Sequence, residues 1–232
     1  MISGFKIIKK IAPLFLSVFI LSIVCGCSYV DGVTTMLKDD GRVVFTRIAV
    51  VPFQSVNMDD AAVKAVGCPL CGLVFSAERY PGGAEKIVEN VFVERLRTHR
   101  QFVVIPPERV GGIYERVAAD SLKVDMLDIL KKVGSELEAD GIVFGYVYRY
   151  RERKGYAYSA EKPASVAFEI HLIRVNDGAL VWRGIFDKTQ SSLMENILQI
   201  SSFYRGRGQW VTAKELITEG LDEVMKKFPG LH

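Results

Sequence analysis

The sequence contains no phosphate-binding loop, no glycine-rich dinucleotide fingerprint, no HExxH helix and no nucleophile elbow. These short patterns mark the common nucleotide, metallopeptidase and hydrolase sites. Histidine is scarce. His99 stands where a helix is expected to end, a position that suits a cation. His171 lies mid-strand, and His232 is the last residue. The acidic residues are scattered and single out no catalytic pair. No enzyme activity and no cofactor are therefore expected. Excess charge is lacking too. The formal net charge is +3, and Lys6, Lys9 and Lys10 account for all of it, since residues 1–26 hold no Arg, Asp or Glu. Residues 27–232 are formally neutral, without the positive field that draws proteins to nucleic acid.

What is present begins with the N-terminus. After the three lysines come 14 uncharged residues, 11–24, and then Val24-Cys25-Gly26-Cys27-Ser28-Tyr29. A basic start, a short apolar run and a small residue before the cut describe a secretory signal. The run is shorter than the roughly 20 residues of a spanning helix. Extended through Cys27 it reaches the lower limit, so a plain membrane-spanning anchor is the alternative. Val24-Cys25-Gly26-Cys27 resembles the bacterial lipobox, with an aliphatic residue at −3 and a small one at −1; Cys25 at −2 departs from the usual pattern. The resemblance implies removal of residues 1–26 and acylation of Cys27, with palmitate among the chains. With Ser28 and not Asp after Cys27, it also implies the periplasmic face of the outer membrane. The partner of Cys27 is membrane lipid.

The rest reads as one α/β (α+β) domain, a single mixed β-sheet with a hairpin in its C-terminal half, covered by helices. Residues 27–42 are expected to be a tether and residues 43–232 the domain, with 54–81 a cysteine-containing insertion. Arg42–Phe53 reads as a buried strand. Ile87, Val88, Val91, Phe92 and Leu96 form one stripe of a helix running to about Arg100. Phe102–Ile105 is a short strand, 108–119 a helix, and Asp125 caps a further helix over 126–138. Ile142–Tyr150 is the next strand. Alternation through Val166, Phe168, Ile170 and Leu172, then Asn176-Asp177-Gly178, predicts a hairpin returning over Ala179–Asp187. A short helix is expected over 189–200 and an irregular loop over 201–210. Thr212 caps a last helix over 213–227.

Four stretches resemble the domain shared by CsgG, LpoB and the N-terminal part of TolB. They are Ile48–Phe53, the helix and strand from Ala84 to Ile105, Glu138–Val147, and the hairpin Ile170–Gly184 with Trp182. Their order and spacing carry the likeness, which spans most of residues 43–188 and implies fold more than function. CsgG-like channel subunits use long alternating strands to line a barrel, and residues 189–211 contain no such pair.

Cys68-Pro69-Leu70-Cys71-Gly72 is the sharpest chemical motif. In an oxidising compartment a local disulfide is the expectation. Half of a metal site, a redox-active pair and two unpaired thiols are the alternatives. Zinc would need two more ligands from His99, His171 or acidic residues, so no metal is expected. Covalent haem would need histidine at 72, which is glycine. Phe203, Tyr204, Arg205, Arg207 and Trp210 combine aromatic and guanidinium groups, the residue types enriched in interface anchors. They are the candidate contact for a periplasmic or outer-membrane protein partner; the plainer account is a surface loop whose aromatic groups cover the core. On a strand Tyr146, Tyr148 and Tyr150 would share one face and Arg149, Arg151 and Arg153 a solvated other. The composite reading is a lipid-anchored periplasmic domain that works by protein contacts in cell-envelope biogenesis or secretion. The alternatives are a redox or metal-dependent protein using Cys68 and Cys71, and an accessory subunit of a CsgG-like channel.

Overall fold

The computed structural model describes residues 32–37, 44–56, 65–80, 82–98, 101–120, 124–156, 159–190 and 210–231. All belong to one unit, Asp31–His232. The strands are β1 (Gly32–Leu37), β2 (Arg47–Val50), β3 (Gln54–Ser55), β4 (Ala65–Gly67), β5 (Val74–Ser76), β6 (Val103–Ile105), β7 (Gly141–Arg151), β8 (Lys154–Tyr156), β9 (Ser159–Lys162), β10 (Ser165–Arg174) and β11 (Leu180–Thr189). The helices are α1 (Ala84–Thr98), α2 (Pro107–Ala119), α3 (Met126–Glu136) and α4 (Ala213–Met225). A mixed sheet runs β1-β11-β10-β7-β2-β6, with β3 also pairing β7. β2 is parallel to β6 and β7, whereas β7, β10, β11 and β1 are antiparallel. β4–β5 and β8–β9 are small separate hairpins.

Each face of the sheet carries its own core. Ile48, Val143, Phe168, Ile170, Leu172 and Trp182 pack beneath α1 and α4. Ala49, Ile142, Phe144, Tyr148, Ala167 and Ile173 pack beneath α2, α3 and the β4–β5 hairpin. Burial on both faces explains why β7 and β10 are apolar beyond simple alternation. Arg174 and the Ala179 N–H hold the Asp177 carboxyl down to about 2 in the β10–β11 turn, where Gly178 takes φ +73°. Thr212 caps α4, as the sequence predicts, and Glu215 completes a reciprocal capping box with it.

Three expectations change. Residues 32–37, read as tether, form an edge strand antiparallel to β11; the segment Gly-Val-Thr-Thr-Met-Leu carries three β-branched residues, which suit a strand. The strand read over Arg42–Phe53 narrows to β2. The three tyrosines do not share a face. The β7–β10 register shifts between Ala167 and Phe168, and the bulge places Tyr148 and Arg149 on one side while Tyr150 packs with the opposite core. Arg149 is buried rather than solvated. It donates to Ser165 Oγ at 2.6 Å, to the Ser76 carbonyl at 3.0 Å and to Asp187. The helix expected over 189–200 falls outside the described residues beyond Gln190, as do loop residues 201–209.

Glu89 shows why the α1 pattern was only half legible. It is buried, and its Oε2 accepts the Phe53 N–H at 2.7 Å while Lys86 donates to Oε1 at 2.9 Å. Glu89→Ala strands a buried N–H and is expected to cost about 1–3 kcal/mol. Glu89→Gln keeps an acceptor and costs less. Urea denaturation of both variants checks the order; equal losses would show that the Phe53 bond contributes nothing.

Candidate functional site: a buried thiol, carboxylate and imidazole cluster

The cysteine motif sits at the tip of the β4–β5 hairpin. The Cys68 N–H donates to the Leu73 carbonyl at 2.7 Å, and the Gly72 N–H to the Cys68 carbonyl at 2.9 Å. Gly72 takes φ +72°, which glycine adopts without a Cβ penalty. The turn presses both sulfurs toward β10. Phe75 anchors the hairpin by stacking on Tyr148, with ring centroids 4.2 Å apart, and Arg149 binds its last residue through the Ser76 carbonyl.

On β10, Glu169 and His171 are successive residues on the face that carries Ala167 and Ile173, and both are fully buried. Glu169 Oε1 lies 3.1 Å from both His171 Nε2 and Cys71 Sγ. Cys68 Sγ lies 3.8 Å from His171 Nε2. Tyr148 donates to the other carboxylate oxygen, Oε2, at 3.1 Å. Arg183 Nε is 3.8 Å from Oε1. His171 Nδ1 is buried with no hydrogen-bond partner among the described residues. Both cysteines are free thiols, so the disulfide expected from the compartment is not formed in this structure. The expectation that metal donors beyond the cysteines are missing is also revised. Cys68, Cys71, Glu169 and His171 each point one donor atom into a group spanning no more than 4.8 Å.

Burial opposes charge on Glu169, His171 and Cys68, yet their contacts reverse it. Burial disfavours the Glu169 carboxylate, but hydrogen bonds from His171, Cys71 and Cys68 hold its pKa below the usual range. Burial likewise disfavours the His171 imidazolium, and its bonds to Cys68, Cys71 and Glu169 raise its pKa well above the ordinary histidine value. For Cys68, His171 outweighs burial and lowers the thiol. Tyr148 is pushed up, first by burial and then by Glu169, so it stays a donor. The group can therefore hold a cation or a reactive thiol, but His171 and Glu169 show no exposed surface through which a substrate would meet them. A separate surface cleft of about 310 Å³, lined by α1 between Asn90 and Thr98 and by Pro107 and Glu108, touches none of these residues.

No family model and no curated protein matches the chain. Several solved structures resemble it. A dodecamer of a PelC point variant from Paraburkholderia phytofirmans is 15% identical, covering 86% of this chain and 99% of that one, with a TM-score of 0.45. Lipoprotein GNA1162 from Neisseria meningitidis is 13% identical over 70% of this chain and 98% of that one, TM-score 0.39. The LpoB C-terminal domain from Salmonella enterica is 13% identical over 66% of this chain and 89% of that one, TM-score 0.35.

The other sequence candidates scatter. Cys27, His99, Phe203, Tyr204, Arg205, Arg207 and His232 lie outside the described residues. Trp210 is half-buried just before α4, and its carbonyl accepts from Arg153. Glu169 was missed as a functional residue because a strand carboxylate alternating with apolar residues reads as solvent-facing. The available signal was Ala167 and Ile173 on the same face, which mark that face as covered too. Among the described residues, no helix is long and apolar enough to cross a membrane.

Proposed function

We propose that this chain is a non-catalytic domain tethered by acylated Cys27 to the periplasmic face of the outer membrane, where it binds a protein partner in envelope assembly or secretion. The lipobox-like Val24-Cys25-Gly26-Cys27 after an uncharged run carries the reading. Each acyl methylene buried in lipid contributes about 0.8 kcal/mol, so several chains hold a domain firmly. The burial of Glu169 and His171 supports a role other than catalysis, since the carboxylate and imidazole present no surface to a substrate. Phe203, Tyr204, Arg205, Arg207 and Trp210 supply the partner contact, with rigid aromatic surface beside guanidinium donors.

Intact-mass spectrometry of the chain purified from bacterial membranes tests the anchor. The expected species begins at Cys27 and carries acyl mass; a chain still starting at Met1 without acyl mass would end the proposal. Crosslinking in membranes tests the contact. Alanine at Phe203, Arg205, Arg207 and Trp210 together should reduce crosslinked partner at least about tenfold, the loss of only about 1.4 kcal/mol. Unchanged crosslinks would remove this surface from the account.

A further inference from the structure

We propose that Cys68, Cys71, Glu169 and His171 bind one zinc ion, which clips the β4–β5 hairpin to the central sheet. Four observations carry the inference, and none depends on the lipid anchor.

The donor set comes first. Two thiolates, one imidazole and one carboxylate match the S, N and O ligands of four-coordinate zinc. Geometry comes next. Bond lengths of about 2.3 Å to sulfur and 2.0–2.2 Å to nitrogen and oxygen put neighbouring donors of a tetrahedral site about 3.3–3.8 Å apart. The separations here are 3.1, 3.1 and 3.8 Å, with none above 4.8 Å. The outer donors need to close by about 1 Å, which the hairpin turn can supply.

Charge is the third. Zinc, two thiolates and the Glu169 carboxylate sum to a single negative charge, and the Arg183 guanidinium 3.8 Å from Glu169 cancels it. A buried centre of zero net charge avoids the large penalty of an uncompensated buried ion. On binding, two Zn–S bonds, one Zn–N bond and one Zn–O bond replace the water ligands of the aqueous ion; the protons still held by the two thiols and by the His171 imidazolium leave to solvent, so both sulfurs bind as thiolates, His171 as the neutral imidazole and Glu169 as the carboxylate it already is.

Position is the fourth. Tyr148 holds Glu169 Oε2 and leaves Oε1 facing the sulfurs, the arrangement by which an outer hydroxyl aims a ligand carboxylate. Cys71, at the tip, retains partial exposure and offers a path for entry. The hairpin's apolar anchorage is concentrated at its C-terminal side and turn: β4 buries no residue and β5 only Phe75, beside buried Cys68 and Ala77. A metal bond to the sheet is what such an element lacks. The four ligands leave no open position, so the ion is structural.

The test uses the untagged full chain, purified in detergent without chelator. Elemental analysis should give about one zinc per chain. After exchange, cobalt should show thiolate-to-metal charge transfer and the intense visible bands of tetrahedral coordination. Cys71→Ser should abolish the charge-transfer contribution of one sulfur and weaken competition against a chromogenic chelator. Tyr148→Phe keeps every ligand and the ring stacked on Phe75, and should lower zinc affinity about 10–100-fold. Wild-type protein with no zinc, no cobalt–thiolate band and two thiols locked as a disulfide would overturn the proposal, as would Tyr148→Phe protein with unchanged affinity. Metal content is read independently of whether Cys27 is acylated, so this proposal and the anchored-domain reading fail separately.

Discussion

Arg149→Met is expected to destabilise the domain by about 3–5 kcal/mol, the range for removing one partner of a buried ion pair. The arginine is 3% exposed at a bulge in the central strand and joins three segments: Asp187 on β11, Ser165 Oγ on β10 and the Ser76 carbonyl on β5. Methionine fills much of the volume but supplies no donor. Arg149→Lys should fall between, because a point charge cannot serve three acceptors spread around a planar fork. Guanidinium denaturation monitored by tryptophan fluorescence measures the loss. Amide exchange should also quicken at Phe75 to Ala77, which the arginine ties to the sheet. A loss under about 1 kcal/mol would mean the pair behaves like an exposed one.

Gly184→Ala should have an effect of comparable size. A Cβ at this β11 position would stand 1.9 Å from Val224 Cγ1 and 2.6–2.7 Å from the Trp182 ring. Trp182 and Val224 are fully buried, and Trp182 is wedged edge-on against Phe228 with centroids 4.8 Å apart. Neither can yield without moving α4 off the sheet. Gly220, across the same interface, would meet the Phe186 ring at 2.6 Å, so the two glycines together set how close α4 lies to β11. Overpacking of this kind costs about 1–3 kcal/mol and occasionally more, and the upper end is expected here. Adding Val224→Ala should recover part of the loss, since the clash and the cavity offset each other; additive losses in the double variant would show that the two positions do not touch in solution.

The elements most legible in the sequence were those specified by neighbours along the chain. Of the α1 stripe, Val88, Phe92 and Leu96 are fully buried and Ile87 and Val91 pack half-buried against the same core. The β10–β11 hairpin turns at Asn176–Gly178, and Thr212 caps α4. These signals survive because helical and strand periods, turn glycines and caps act within about one or two turns of chain. The Tyr148–Arg149 bulge broke an alternation that the sequence presented as unbroken. Nothing local singled out Glu169 or Glu89, and only the layers above them make them interior.

The sequence by itself determined the order of the longer helices and strands, the neutral character of residues 27–232, the lipobox-like start and the two thiols at CxxC spacing; the edge strand β1 and the short strands β3, β4, β5, β8 and β9 were not legible in it. Tertiary structure alone decided what those thiols face. Cys68 and His171 are separated by 103 positions and meet at 3.8 Å, because the β4–β5 hairpin folds over the covered face of β10. Local physics fixes which atoms an element can present. Which atoms then meet depends on sheet order and on the packing of layers, and no local period encodes either.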